Sequence, residues 1–158
     1  MRTEPDDPAD DEVFRSLYGS LRRFAAVTAP VEVDPDDLLQ EALVATLRRH
    51  HLTDLESPAA YLRRAMVNLA ANHRRRLARE RKAMTRVAAA GGAAASYPSD
   101  LSDLMSLSPR ERAVLFLTEV EGYRFDEVAE MVGCSAPAAR MSATRGRRRR
   151  RAAMTEGM

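Results

Sequence analysis

Residues 108–151 read SPRERAVLFLTEVEGYRFDEVAEMVGCSAPAARMSATRGRRRRR: two short helices, a tight turn, and a third helix that runs into an arginine block. Ser108 suits an N-cap and Pro109 a first turn, where no amide donor is needed; Glu111 follows at the spacing of a capping box. Val114, Leu115, Leu117, Thr118 and Val120 predict an apolar face, and Gly122 a stop. Phe125, Val128, Ala129 and Val132 face a second helix inward; Gly133 ends it at a position that calls for positive φ. Ser135 caps the third helix, whose first turn tolerates Pro137.

The spacing of Ala129, Gly133, Ala139 and Ala143 is that of a helix-turn-helix. A small residue lets the helices cross closely, glycine makes the corner, and two inward positions four apart seat the second helix on the first. Its outward side then offers Arg140, Ser142, Thr144, Arg145 and Arg147, residue types suited to base edges and phosphates in a major groove. Between 140 and 151 there are seven arginines and no acid, more charge than a solvated face usually carries.

The whole chain of 158 residues has a net charge of only +2, but unevenly placed. Residues 1–13 hold six acids and one arginine, whereas residues 63–82 hold eight basic groups and one acid. Local potential, not the total, attracts a polyanion. Aromatics make up 5% of the chain against 45% hydrophobic residues, which predicts Leu/Val/Ala/Met cores, and strand-like alternation is absent. The expected fold is all-α. The single Cys134 excludes an internal disulfide and fits a reducing cytoplasm. Without a signal peptide or a long apolar run, the expectation is a cytoplasmic protein with no membrane insertion.

Residues 1–10 read as a disordered acidic tail. A first helix is expected over about 11–28, with Phe14, Leu17, Leu21, Phe24 and Ala25 on one face. Asp34-Pro35 opens a second, carrying Leu38, Leu39, Ala42, Leu43, Thr46 and Leu47 to about His50. Ser57-Pro58 opens a third, with Tyr61, Leu62, Ala65, Met66, Leu69 and Ala70 inward, reaching about Lys82. These three helices make a first domain over 11–82. Residues 83–100 lose periodicity and gain Ala, Gly, Ser and Pro, which reads as a flexible linker, although 84–90 would also extend the preceding helix. A second small domain spans 101–151, followed by a tail over 152–158.

Two blocks resemble the bacterial sigma-70 initiation factors, in particular the short extracytoplasmic-function (ECF) group: DPDDLLQEALVATLRR with SPAAYLRRAMVNLAANHRRR, and LSPRERAVLFLTEVEGYRFDEVAEMVGCSAPAARMSATRGRRRR. Their combination, in this order with a linker between, is specific, and the wording SPAAYLRRAMVNL is most similar to the actinobacterial, SigE-like branch. The resemblance implies a region 2 domain and a region 4 helix-turn-helix domain. It implies a subunit that binds the clamp helices and flap of core RNA polymerase, directs it to promoter DNA and helps open the duplex, with an anti-sigma factor as a candidate partner.

Carried over residue by residue, Asp37, Leu38, Gln40, Glu41, Leu47 and Arg48 lie on the polymerase-docking helix. Tyr61, Arg64, Asn68, Asn72, His73, Arg74, Arg75 and Arg76, with Arg63, fall on the element that captures the opened −10 strand. The loop His51 to Glu56 corresponds to the family's pocket for a flipped base. Ser135, Arg140, Ser142, Thr144, Arg145, Arg147 and Arg148 fall at or near −35 contacts, and the block through Arg151 would grip phosphates. The chain departs from the family in having Tyr61 where Trp is usual, and in Ala139 and Ala143, which are smaller than usual.

No cofactor, metal or catalytic centre is expected: His50, His51 and His73 lack ligand partners at convincing spacing, and there is no phosphate loop or nucleophile motif. Two other function classes compete. A stand-alone helix-turn-helix regulator would need only the C-terminal domain and has no reason to carry DDLLQE followed by NLAANHRRR. A polymerase-binding adaptor unable to open promoters would fit the absence of Trp.

Overall fold

The computed structural model describes residues 7–88 and 107–156, and every regular element among them is helical. In the order of the chain, α1 spans Pro8–Thr28, α2 Pro35–Leu47 and α3 Pro58–Ala88, with a 3-10 turn at Leu52–Asp54 before α3. Then come α4 (Pro109–Leu115), a π-helical turn (Phe116–Val120), α5 (Phe125–Val132) and α6 (Ala136–Glu156).

Local chemistry sets the starts. Asp7 caps α1 by accepting from the Ala9 amide at 2.9 Å, and Asp34 caps α2 by accepting from Asp36 at 2.8 Å; a proline follows each. Thus α1 opens at Pro8, inside the stretch read from sequence as a tail. Asp10 is only 5% exposed, so that acid belongs to the folded module. At the other end α3 continues through residues 83–88, because nothing before Ala88 breaks it. The remainder of the expected linker, residues 89–100, lies outside the described residues, as do 1–6, 157–158 and the first part of the expected second domain, 101–106. The C-terminal stretch expected as a tail is helical through Glu156.

The first module is a three-helix core. Leu21, Phe24 and Ala25 of α1 meet Leu38, Leu39 and Ala42 of α2 and Leu62, Met66, Val67 and Ala70 of α3. Each leucine sealed here contributes roughly 1.5–3 kcal/mol by leaving water. Asp36 ties α1 to α2 at the rim, accepting from Arg22 Nε at 2.7 Å and Tyr18 Oη at 3.0 Å.

In the second module Ala113, Val114 and Leu117 pack on Val128, Ala129 and Val132 of α5 and on Ala139 and Ala143 of α6. Gly133 forms the corner at φ 79°, as its position predicts. Gly146 allows a close approach: a Cβ there would lie 2.8 Å from Leu115 Cδ1. Ser108 accepts from the Glu111 amide at 3.1 Å, but the Glu111 carboxylate does not close a capping box and turns to Arg149 instead. The apolar face expected through Val120 fails in its last turn. The helix widens there to an i→i+5 bond, Glu121 N to Phe116 O at 3.1 Å, which rotates Val120 to 71% exposure.

The modules touch. Phe24 and Phe116 approach with ring centroids 6.5 Å apart, and Arg112 of α4 donates to the carbonyls of Thr28 and Ala29 at 3.3 Å each.

Candidate polymerase and nucleic-acid interface

On α2 the exposed residues form one stripe. Asp37, Gln40, Glu41, Val44 and Arg48 are exposed at helical spacing, and Leu47 is half-buried beside them. Leu38 is a correction: it is 0% exposed and fills the core, because a residue adjacent to Asp37 points about 100° away around the helix. Val44, 49% exposed, was missed, although its spacing of seven from Asp37 signals the same face.

On α3, Tyr61, Arg64, Asn68, Asn72, Arg75 and Arg76 recur every three or four residues and share a face; all but half-buried Tyr61 are exposed. Arg75 donates to Asn72 Oδ1, which holds both side chains together. His73 and Arg74 leave that face. His73 Nε2 lies 2.8 Å from Glu41 Oε2, joining α3 to the exposed stripe on α2. Arg76 NH2 lies 3.2 Å from His73 Nδ1; a guanidinium can only donate, so Nδ1 accepts and Nε2 carries the proton toward Glu41. Arg74 is half-buried, on the side where its charge acts on Arg112.

Arg63 is a further correction. It is 6% exposed, donates to Ser20 Oγ at 2.7 Å and lies over the Phe24 ring, so it braces α3 against α1 and cannot reach a phosphate.

The loop before α3 is anchored from a distance. Asp10 Oδ1 accepts from the Leu52 amide at 2.8 Å and the Thr53 amide at 3.3 Å; Oδ2 lies 2.9 Å from His51 Nδ1. His51 is pushed above its ordinary 6.5, first by that hydrogen bond; desolvation opposes it, and the charges of Asp10, Asp54 and Asp7 add to it. Among the described residues, Asp7, Asp10 and His51 are the one group with metal-ligating atoms within 4.8 Å of one another. The Asp10 oxygens are already engaged by the two amides and the imidazole, so the geometry is complete as a hydrogen-bonded clamp. Tyr61 sits edge-on to His50 beside this loop, ring centroids 5.4 Å apart.

On α6, Arg140, Thr144, Arg145 and Arg148 are exposed, with the Arg140 guanidinium 5.8 Å from the Phe125 ring centroid. Thr144 Oγ1 donates to its own helix at Arg140 O, 3.0 Å away. Ser135 is exposed and accepts from the Ala138 amide at 3.2 Å, as a cap does. Ser142 was read as outward-facing and is 2% exposed: it follows Ala139 by three positions and turns inward with Ala143.

The arginine block does not act as one patch. Arg147 Nε and Arg150 NH1 bracket Glu119 of the π-helical turn at 3.0 and 2.9 Å. Arg150 first, then Arg147, hold the Glu119 carboxyl below its ordinary value. Arg149 pairs with Glu111 of α4 at 3.0 Å, whereas the exposed Arg148 and Arg151 form no ion pair with an acid among the described residues. Three of the five arginines therefore staple α6 to the rest of its module.

Comparison with known proteins bears on the same two modules. Residues 13–80 match Sigma-70 region 2 and residues 104–149 match Sigma-70, region 4. No curated protein matches the chain by sequence. A solved structure with a similar fold is described as the sigma factor RpoE in complex with the anti-sigma factor NepR from Bartonella quintana. It is 18% identical, has a TM-score of 0.58, and the alignment covers 92% of this chain and 96% of that one. Among the described residues no helix is long and apolar enough to cross a membrane. With region 2 on the three-helix module and region 4 on the helix-turn-helix module, in that order along most of its length, the chain belongs to the sigma-70 family, whose members are promoter-specificity subunits of RNA polymerase rather than catalysts.

Proposed function

We propose that the chain is an ECF-type sigma factor that acts in the cytoplasm, docks on core polymerase through α2, and reads a promoter at two places through α3 and α6. The observation that carries this reading is the separation of its exposed arrays. One module presents a mixed acidic and apolar stripe on α2 beside an Asn/Arg stripe on α3; the other presents Arg140, Thr144, Arg145 and Arg148 on a recognition helix. Carboxylates beside an exposed valine suit a basic, partly apolar helix of the polymerase clamp. Amides and guanidinium groups suit a single strand with unpaired bases.

The boundaries 11–82, 83–100 and 101–151 are proposed as docking and −10 module, connector, and −35 module. Engagement of Arg147, Arg149 and Arg150 within the second module leaves base reading to Arg140 and Arg145, with Arg148 and Arg151 for phosphates. The wording of residues 57–69 supports the finer placement in the actinobacterial, SigE-like branch. The structural relative is described with an anti-sigma factor, and we extend that expectation here: a partner of this kind would cover docking surfaces and hold the protein inactive.

The test is run-off transcription with purified core polymerase on promoters selected from a randomised pool by the full chain. Specific initiation is expected, with Arg140→Ala losing −35 preference by about 1–3 kcal/mol and Ser142→Ala keeping it. Polymerase binding without initiation on any selected promoter would favour the adaptor reading, for which Tyr61 turned edge-on to His50 is the supporting observation.

A further inference from the structure

We propose that Asp10 is a positioning residue for −10 recognition: its buried carboxylate, carried on the first turn of α1, holds the loop His51–Glu56 in the shape that receives an unpaired base. The inference rests on the reading of that loop as the base-receiving element.

Asp10 is 5% exposed, an unusual place for a carboxylate. Leucine at this position would seal α1 against the loop at less desolvation cost. What only an acceptor does is bind two successive amides, Leu52 at 2.8 Å and Thr53 at 3.3 Å. That fixes the plane of the backbone where the chain enters its 3-10 turn. Leu52 is driven to 0% exposure beneath it, while Thr53, Asp54 and Glu56 stay exposed above. The same carboxylate reaches His51 at 2.9 Å, so the loop is held at three consecutive residues from one point 41 to 43 positions earlier. No other side chain among the described residues accepts from the backbone amides of Leu52 and Thr53.

The charged groups around His51 are Asp7, the cap of α1, Asp10 on α1, and Asp54 from its own turn; the ring contact of Tyr61 from α3 is with the neighbouring His50. With its pKa raised, the imidazolium pairs with Asp10 below 6.5, and that pairing is lost as pH rises through the higher folded value. The two amide bonds to Asp10 do not involve the imidazole and are kept when its charge is lost. The loop should therefore slacken, not open, on the alkaline side.

The experiment uses holoenzyme assembled from core polymerase and the full chain. A fluorescent single-stranded −10 oligonucleotide, selected for tight binding, is compared with the same strand altered at the unpaired base. Asp10→Ala is expected to lower the ratio of their affinities about tenfold while −35 duplex binding by the full chain is unchanged. Asp10→Asn retains a carbonyl acceptor for the amides and is expected to recover most of the ratio but to lose its fall with rising pH. A full ratio in Asp10→Ala overturns the proposal. If Asp10→Ala fails to fold, Asp10→Asn decides: a pH profile identical to that of the unaltered chain overturns it. A third variant, with Thr53, Asp54 and Glu56 all replaced by alanine, separates the two levels. If it leaves the ratio intact, the reading of the loop fails; if it abolishes the ratio and Asp10→Ala does not move it, only the role of Asp10 fails.

Discussion

Arg64 of α3 crosses Gly133 at the corner of the helix-turn-helix, so closely that a Cβ on Gly133 would lie 2.5 Å from its Nε. The φ of 79° is what requires glycine here; a Cβ would also displace the exposed Arg64 side chain from this corner. Arg64 is also a candidate for holding the −10 strand, and Glu130 of α5 lines the cleft it shares with Tyr61 and Glu56. In this packing the face of α3 proposed for −10 recognition is therefore partly covered by the other module. If α3 binds DNA as proposed, Arg64 would have to turn away from Gly133 to take part.

The contact is anchored by Arg112, whose guanidinium meets the carbonyls of Thr28 and Ala29 at the negative end of α1. Burial, then Arg74, pushes its pKa down, and its Nε is buried without a partner among the described residues. Arg112→Ala is expected to reduce unfolding free energy by about 2 kcal/mol. It should also increase the separation of dyes placed on α2 and α6. Arg112→Lys should not restore either, because an ammonium cannot reproduce the planar fork toward two carbonyls. Chemical denaturation and intramolecular energy transfer check the two halves; unchanged transfer in Arg112→Ala would mean that the anchor is not what holds the modules together.

Neighbouring arginines of α6 should separate cleanly. Glu111 is 6% exposed and Arg149 is its partner at 3.0 Å. Arg149→Ala leaves a carboxylate enclosed and unpaired, and is expected to cost about 1–2 kcal/mol of stability, the lower part of the buried-pair range because Arg149 is itself half-exposed. Arg148→Ala should leave stability within about 0.5 kcal/mol and reduce the slope of log affinity against log salt by about 1 on any DNA sequence. Thermal melts and a salt titration on non-specific duplex distinguish the two.

Glu119 predicts an acid dependence. Its carboxyl is held below 4.5 by Arg150 and Arg147, so the native state binds fewer protons there than the unfolded chain. The stabilisation is present above 4.5 and is lost as pH falls through the lower folded value. Glu119→Gln should flatten the stability curve in that acid window and leave its alkaline side alone. Urea midpoints through the window are the measurement, and parallel curves for the two proteins would rule out this source.

Local chemistry made the C-terminal module legible in advance: Ser-Pro at its start, glycine at the corner and alanines four apart each act within one or two turns. Contacts between distant segments were not legible. Asp10 lies 41 residues from His51, and no periodicity links an acid in an apparent tail to a loop beyond two helices. Consecutive residues misled for a different reason. Successive side chains turn by about 100°, so Arg147 to Arg151 cannot all face one groove. Three of them find Glu111 and Glu119 instead. Ser142 and Leu38 were drawn to the surface by their polar neighbours in sequence, whereas the helical phase of Ala139 and of Ala42 carries them inward.

The same phase argument gives α2 its sharpest test. Val44 is 49% exposed and stands seven residues from Asp37 and four from Arg48, in the middle of the exposed stripe. If that stripe docks on polymerase, Val44 supplies its apolar centre, with Asp37, Gln40 and Glu41 on one side and Arg48 on the other. Val44→Asp adds an acid where a hydrophobic contact is needed, and should weaken core binding at least about tenfold with no loss of fold. Leu38→Ala should do the reverse. It creates a cavity among Leu21, Leu62 and Met66 and is expected to cost about 2–5 kcal/mol of stability, with binding affected only through the unfolded fraction. Affinity for core polymerase and denaturant midpoints, measured on both variants, assign each residue to surface or core. A Val44→Asp protein that binds polymerase as the unaltered chain does would remove α2 from the docking surface.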